Sequence, residues 1–263
     1  MGVLNVTPDS FSDSGVFFEK NRAIEGALKM VEDGADIIDV GGESTRPGAE
    51  QITVHEELKR VIPVIEAITE HISVPISVDT YKAAVAHEAL NAGASMVNDI
   101  SGLRFDNDMA KTIAEAQGAV CIMHILGTPK NMQNNPHYDD IFVQIGEYLN
   151  EGINMAKSAG ISDISIVIDP GIGFGKTLDH NLQILRGLDR FKQPGKPVMV
   201  GTSRKSFISM ILGGRAVDKR LMGTAATVAI SIFNGASIVR VHDVKEIADV
   251  VRVSDAIVRG ENH

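Results

Sequence analysis

The sequence predicts an α/β protein built as one closed (β/α)8 TIM barrel. Three observations carry that expectation. Short β-branched apolar runs alternate with longer amphipathic stretches, the pattern left by crossover helices between parallel strands. Eight such units fit in 263 residues with no composition shift or low-complexity linker, so residues 1–263 read as a single domain. Glycine recurs just before strands, at Gly34, Gly93, Gly160 and Gly235, where a helix ends and a left-handed residue is useful.

Taken in order, the strands are expected at residues 2–6, 37–40, 76–79, 96–99, 119–123, 165–169, 197–201 and 237–241. A helix-length mixture of polar and apolar residues fills every gap. In the second helix Val54, Leu58, Val61, Ile62, Ile65 and Ile68 recur at three and four residue spacing, and Glu56, Glu57, Lys59 and Arg60 are assigned to the opposite face. Similar stripes run over 23–31, 141–156 and 247–257. The Gly-Ala-(Asp or Ser) triplets at Gly34, Gly93 and Gly235 echo one repeated unit. Residues 126–138, with Pro129, Asn134, Asn135 and Pro136, read as a long loop after the fifth strand, on the active face.

The bulk numbers exclude several classes. A hydrophobic fraction of 44% with 22% charged residues is ordinary for a globular chain. The net charge of -9 argues against nucleic acid or an acidic membrane as the main partner. The single cysteine, Cys121, sits in an apolar run and reads as core, so neither a disulfide framework nor a zinc cluster is available. The start lacks a basic flank and a long apolar segment, and a cytoplasmic location is the default expectation.

Chemistry concentrates at the strand ends. Asn5, Asp39, Asp79, Asn98, Asp99, Asp169, Arg240 and His242 all stand at or beside the ends of apolar runs, and a barrel brings those ends to one mouth. Any one of them alone also reads as a turn or helix cap. Two familiar motifs fail: the run from Gly171 to Thr177 has Pro170 where a P-loop needs its first glycine, and Lys176 where a dinucleotide fingerprint needs its third. Lys205 leaves the seventh strand at a helix start, suited to hydrogen bonding or charge donation rather than a Schiff base. Arg240 and His242 point to one side of the eighth strand as a cationic fork for phosphate oxygens, the alternative being a salt bridge to Asp243 or a neighbouring acid. His55, His71, His87, His137 and His180 read as surface residues, and His124 fits either a core or a site role.

Seven strings in order, from Asn5-Val-Thr-Pro-Asp-Ser-Phe-Ser-Asp13 through Gly42-Glu-Ser-Thr-Arg-Pro-Gly48, Ser77-Val-Asp-Thr80, Val97-Asn-Asp-Ile-Ser-Gly102, Met123-His124 and Asp169-Pro-Gly-Ile-Gly-Phe174 to Ser203-Arg-Lys-Ser206, closed by Arg240-Val-His242, resemble the dihydropteroate synthase family. That resemblance implies a (β/α)8 barrel that condenses 6-hydroxymethyl-7,8-dihydropterin diphosphate with 4-aminobenzoate, by a dissociative route assisted by Mg²⁺. It implies Asp79, Lys205, Arg240 and His242 as catalytic residues. Asp79, Asn98, Met123, Asp169, Lys205 and Arg240 would hold the pterin, and Asn5, Arg240 and His242 the diphosphate. Phe11, Thr45, Arg46, Pro47, Phe174, Lys205 and Ser206 would form the aminobenzoate pocket, and Asn5 and Asp13 would position the metal.

The resemblance further implies a homodimer, and mobile lids in the first two loops. Family members usually carry a short strand segment before the first barrel strand, whereas this sequence starts inside it, so a less well sealed barrel floor is expected. Two rivals remain: a pterin-barrel methyltransferase acting on a corrinoid partner, which would not need Thr45-Arg-Pro or the fork, and a silent pterin-binding protein.

Overall fold

The computed structural model describes residues 1–6 and 15–260, and the side chains of 15–20 lie outside that description. Strands β1 (Gly2–Asn5), β2 (Ile38–Gly41), β3 (Ile76–Asp79), β4 (Met96–Asp99), β5 (Ala119–Met123) and β6 (Ile166–Asp169) pair in chain order as a parallel sheet, and β7 (Met199–Val200) pairs with β8 (Ile238–Val239). The two pieces join at both edges. The Ile168 amide donates to the Pro197 carbonyl at 3.0 Å, the Val3 amide to Val241 at 2.9 Å and the Val241 amide to Met1 at 3.0 Å. The wall is therefore closed, as the sequence predicts. β7 and β8 are shorter than expected, although isolated bridges at Val198 and Val241 carry the pairing on to β6 and β1.

Outside the wall run α1 (Gly15–Glu32), α2 (Val54–Thr69), α3 (Ala83–Asn91), α4 (Met109–Glu115), α5 (Ile141–Ala159), α6 (Leu178–Arg186), α7 (Ser206–Ile211), α8 (Leu221–Phe233) and α9 (Val244–Arg259). The seventh unit holds two helices, and α8 takes the place in the ring between α6 and α9. Local signals set the boundaries. The Asp140 carboxylate accepts from the Phe142 and Val143 amides at the start of α5, and Thr177 with His180 forms a reciprocal cap on α6. Gly34, Gly93, Gly160 and Gly235 all have φ between +98° and +116°, the left-handed ending their positions suggest. No helix among the described residues is long and apolar enough to cross a membrane.

The α2 stripe buries as expected at Val61, Ile65 and Ile68, each removed from water for about 1.5–3 kcal/mol. Glu57 corrects the assignment of its face: it is only 1% exposed. Its carboxylate accepts from Lys82, which also binds Glu43, so the first turn of α2 tucks under the loops after β2 and β3. Burial of that charge is tolerated because it is paired. The expected weakness of the floor is likewise absent. Met1, Met96, Cys121 and Met199 form a buried cluster there, backed by Ile37, Ala119, Val167 and Ile238. Cys121 is a core residue as read, and burial pushes its thiol pKa well up.

Candidate active site

Side chains alternate along a strand, so the inward positions form rows. Across the wall Asn5 is in register with Gly41, Gly41 with Asp79, Asp79 with Asn98, and Met123 with Asp169. These are strand-terminal or penultimate residues, which puts them at the carboxyl mouth. Gly41 matters through what it lacks. A Cβ there would stand 3.5 Å from the Asp79 Cβ and 3.8 Å from Asn5 Oδ1, so its absence leaves a recess between those two residues.

Arg240 is the electrostatic centre. Its Nε donates to Asp39 Oδ2 at 2.6 Å and its Nη2 to Asp79 Oδ2 at 2.7 Å, while Asn98 Nδ2 reaches the same Asp39 oxygen at 3.3 Å. Burial opposes the guanidinium charge, but the two carboxylates more than compensate and raise its pKa. Asp79 moves the other way for an acid: burial drives it up and the nearby acids add to that against Arg240, leaving it at about 7. Asp39 Oδ1, Ser77 Oγ and Asn98 Oδ1 are buried without a hydrogen-bond partner among the described residues. Unpaired buried acceptors are costly, and a planar ligand rich in N–H groups would satisfy them.

The cationic fork takes a different form from the one expected. Arg240 is committed to Asp39 and Asp79, the alternative already open in the sequence. Asp243 instead pairs with Arg204. His242 Nδ1 sits 3.0 Å from Ser203 Oγ, and burial followed by the charges of Arg240, Arg204 and Arg46 lowers its pKa to about 4, so its imidazole is neutral. Lys205 caps the short helix α7 and donates to the Ile172 carbonyl, with its ammonium 4.6 Å from the centre of the Phe174 ring. Burial, with Arg240 nearby, lowers its pKa to about 8 against the pull of Asp169 and Asp79. Asp169 Oδ1 accepts from the Gly171 amide at 2.7 Å, and burial raises its pKa.

An apolar wall flanks this polar set. Met123 is buried with Tyr81, Ile100, Ile125 and Met132, and half-buried Phe174 packs on them. Thr45 is half-buried, and Arg46, Pro47 and Ser206 are exposed at the rim. The Gly48 amide donates to the Pro129 carbonyl at 3.0 Å, tying the loop after β2 to the loop after β5. Phe11 and Asp13 lie outside the described residues. Asp99 has the cap role open to each strand-end residue, accepting from the Ser101 and Leu103 amides at 2.7 and 2.9 Å.

Three features escaped the sequence reading. Asp39 stood among the strand-end residues but received no site role, yet it carries the Arg240 contact. Lys176, met only as the residue standing where a dinucleotide fingerprint needs its third glycine, is 3% exposed, and its Nζ lies 2.9 Å from His124 Nδ1. The buried Glu43, Glu57, Lys82 and Tyr81 cluster has no local signature at all. Only the spatial neighbourhood reveals it.

Comparison with known proteins agrees with this geometry. Residues 1–242 match the family described as pterin binding enzyme. A dihydropteroate synthase of Synechocystis sp. is 46% identical over 259 residues, covering 98% of this chain and 90% of that protein. The dihydropteroate synthase of Clostridium difficile, solved in the presence of pteroic acid, superposes with a TM-score of 0.92 at 49% identity, over 98% of this chain and 95% of that one. That of Xanthomonas albilineans, solved with 4-aminobenzoic acid, gives 0.90 at 41% identity over 97% and 91%. With the family profile spanning the barrel and relatives this close along nearly its whole length, the chain belongs to the pterin binding enzymes, among the dihydropteroate synthases.

Proposed function

We propose that this chain joins the methylene carbon of 6-hydroxymethyl-7,8-dihydropterin diphosphate to the amine of 4-aminobenzoate, releasing diphosphate and forming 7,8-dihydropteroate in folate biosynthesis. The observation that carries the reading is the Asp39, Arg240 and Asp79 centre, with the unpaired Asp39 and Asn98 oxygens beside it. A pterin edge bears N–H donors that match those acceptors, and a site of this kind rejects rings that lack them. The relatives solved with pteroic acid and with 4-aminobenzoic acid support the choice of the two substrates.

In the dissociative step the C–O bond breaks with its electron pair leaving on diphosphate, and the methylene cation spreads into the pterin ring. Asp79 and Asp169 would face the ring, where their carboxyls oppose its developing positive charge, while Arg240, held by Asp39 and Asp79, would face the leaving group. A diphosphate beside His242 would offset the cations that now depress its pKa, letting it gain a proton and bind the leaving oxygens. The amine then attacks carbon and loses its proton to solvent. Because an aromatic amine is a neutral nucleophile, the step needs no strong base. Lys205 and Phe174, with Thr45, Arg46, Pro47, Ser206 and Phe11, would line the aminobenzoate side.

Mg²⁺ is part of this reading, and Asn5 fits it. Its side chain is a hard oxygen donor at the mouth, with Oδ1 facing the Gly41 recess, and Asp13 would be the second protein oxygen. When bound, the ion supplies positive charge to the diphosphate oxygens. A homodimer is proposed too, because α7, α8 and α9 leave large apolar side chains in water: Met222 is 76% exposed, Phe233 72% and Ile257 74%. A cytoplasmic site of action goes with the small soluble substrates.

The test measures diphosphate release from the pterin diphosphate with Mg²⁺, with and without 4-aminobenzoate. Amine-dependent release and dihydropteroate formation are expected, with a loss of about a hundredfold or more in Arg240→Ala. Tight pterin binding without release would assign a silent binding protein instead.

A further inference from the structure

The loop between β6 and α6 is held by its carbonyls. Four in succession each accept from a side chain: Ile172 from Lys205, Gly173 from Gln133 at 2.8 Å, Phe174 from Lys176 at 2.9 Å and Gly175 from Tyr138 at 2.9 Å. Gln133 and Tyr138 belong to the loop after β5, and Lys176 is itself anchored on His124 at the end of β5. The seat is tight. A Cβ on Gly171, whose φ is +71°, would lie 1.9 Å from the His124 carbonyl oxygen.

Lys176 is buried with no carboxylate in ion-pair reach among the described residues. Its two hydrogen-bond partners, His124 Nδ1 and the Phe174 carbonyl, are both acceptors, and a neutral amine has two N–H groups to serve them. Burial lowers the Lys176 pKa well below its ordinary value, with Lys205 adding to the effect against Asp169. His124, buried beside that lysine, is pushed down to about 2 and stays a neutral acceptor at Nδ1.

We infer that Lys176 is a positioning residue for the aminobenzoate side of the site: braced on His124, it fixes the Phe174 backbone, and with it the ring and the neighbouring Ile172 carbonyl on which Lys205 rests. This deepens the proposed function and rests on it. Lys205 is half-buried beside the Phe174 ring, whereas Lys176 is sealed behind the loop. The division is between a lysine that touches substrate and a lysine that holds its platform. Arginine would not substitute, since a planar guanidinium does not fit a seat shaped for one tetrahedral nitrogen.

The experiment compares steady-state kinetics of the full chain and Lys176→Met, varying each substrate separately. The inference expects KM for 4-aminobenzoate to rise about tenfold, the cost of a lost buried hydrogen bond, while KM for the pterin diphosphate stays within about twofold by the same arithmetic. Equal rises in both constants, or a lower melting temperature with neither constant changed, would overturn it. Should Lys176→Met not fold, exposed Gln133→Ala carries the test by freeing the adjacent Gly173 carbonyl, with a selective rise of about threefold expected. No selective rise in that variant overturns the inference equally. A wild-type chain that forms no dihydropteroate would instead sink the functional reading.

Discussion

At the scale of single residues the site works by leaving charges in places that water would not allow. Asp79 titrates at about 7 in the folded chain because burial and nearby acids outweigh Arg240. The sign of its effect on stability follows. Between pH about 4 and 7 the folded chain keeps a proton that the unfolded chain has lost, so stability falls as pH rises through that window and levels off above it. Asp99, raised by burial to about 6, adds a slope of the same sign. Asp79→Asn removes only the first. Melting temperature against pH is therefore expected to fall less steeply between pH 4 and 7 in the variant, and parallel curves would show that Asp79 does not carry the proton. The sequence made this residue visible as a polar strand end, but it gave no sign of the shift, which comes from burial in the closed barrel and then from Asp39, Glu57 and Asp99 arriving from other elements.

At the scale of elements, the loop after β2 is pinned at its stem. Arg60 donates to the Gly42 carbonyl at 2.8 Å, Tyr81 donates to Glu43, and Lys82 bridges Glu43 and Glu57 from the start of α3. This pinning fixes where Thr45, Arg46 and Pro47 leave the barrel. The Lys82 side chain is 13% exposed and those of its partners 5% and 1%, so removing it strands two buried acids. Lys82→Met is expected to lower unfolding free energy by about 3–5 kcal/mol, read from urea denaturation. A change below about 1 kcal/mol, the range of an exposed pair, would show the cluster to be open to water. Helix periodicity placed Glu57 on the solvent face because amphipathic spacing records only how a helix meets its own sheet. The loops that fold over its first turn are invisible to it.

At the scale of the whole molecule, closure of the barrel sets Arg240 against Asp39, 201 positions earlier, and Asp79, 161 positions earlier. The same closure leaves α8 and α9 side by side with apolar side chains outward. If that surface is the dimer contact, Phe233→Glu is expected to shift the chain from dimer to monomer in sedimentation velocity, and a wild-type monomer would dismiss it. Strand order, the eight βα units, the glycine helix endings and the strand-end set, Asp79, Asn98, Asp169 and Arg240 among them, were all determined by the sequence alone. Each depends on local propensity or on period, which a chain carries in its residue order. The pairing of Arg240 with two acids, the neutral state of His242, the bracing of Lys176 on His124 and the filling of the floor by Met1 and Cys121 were decided only by tertiary structure. Those depend on burial and on distances across the barrel, quantities that exist only once the wall has closed.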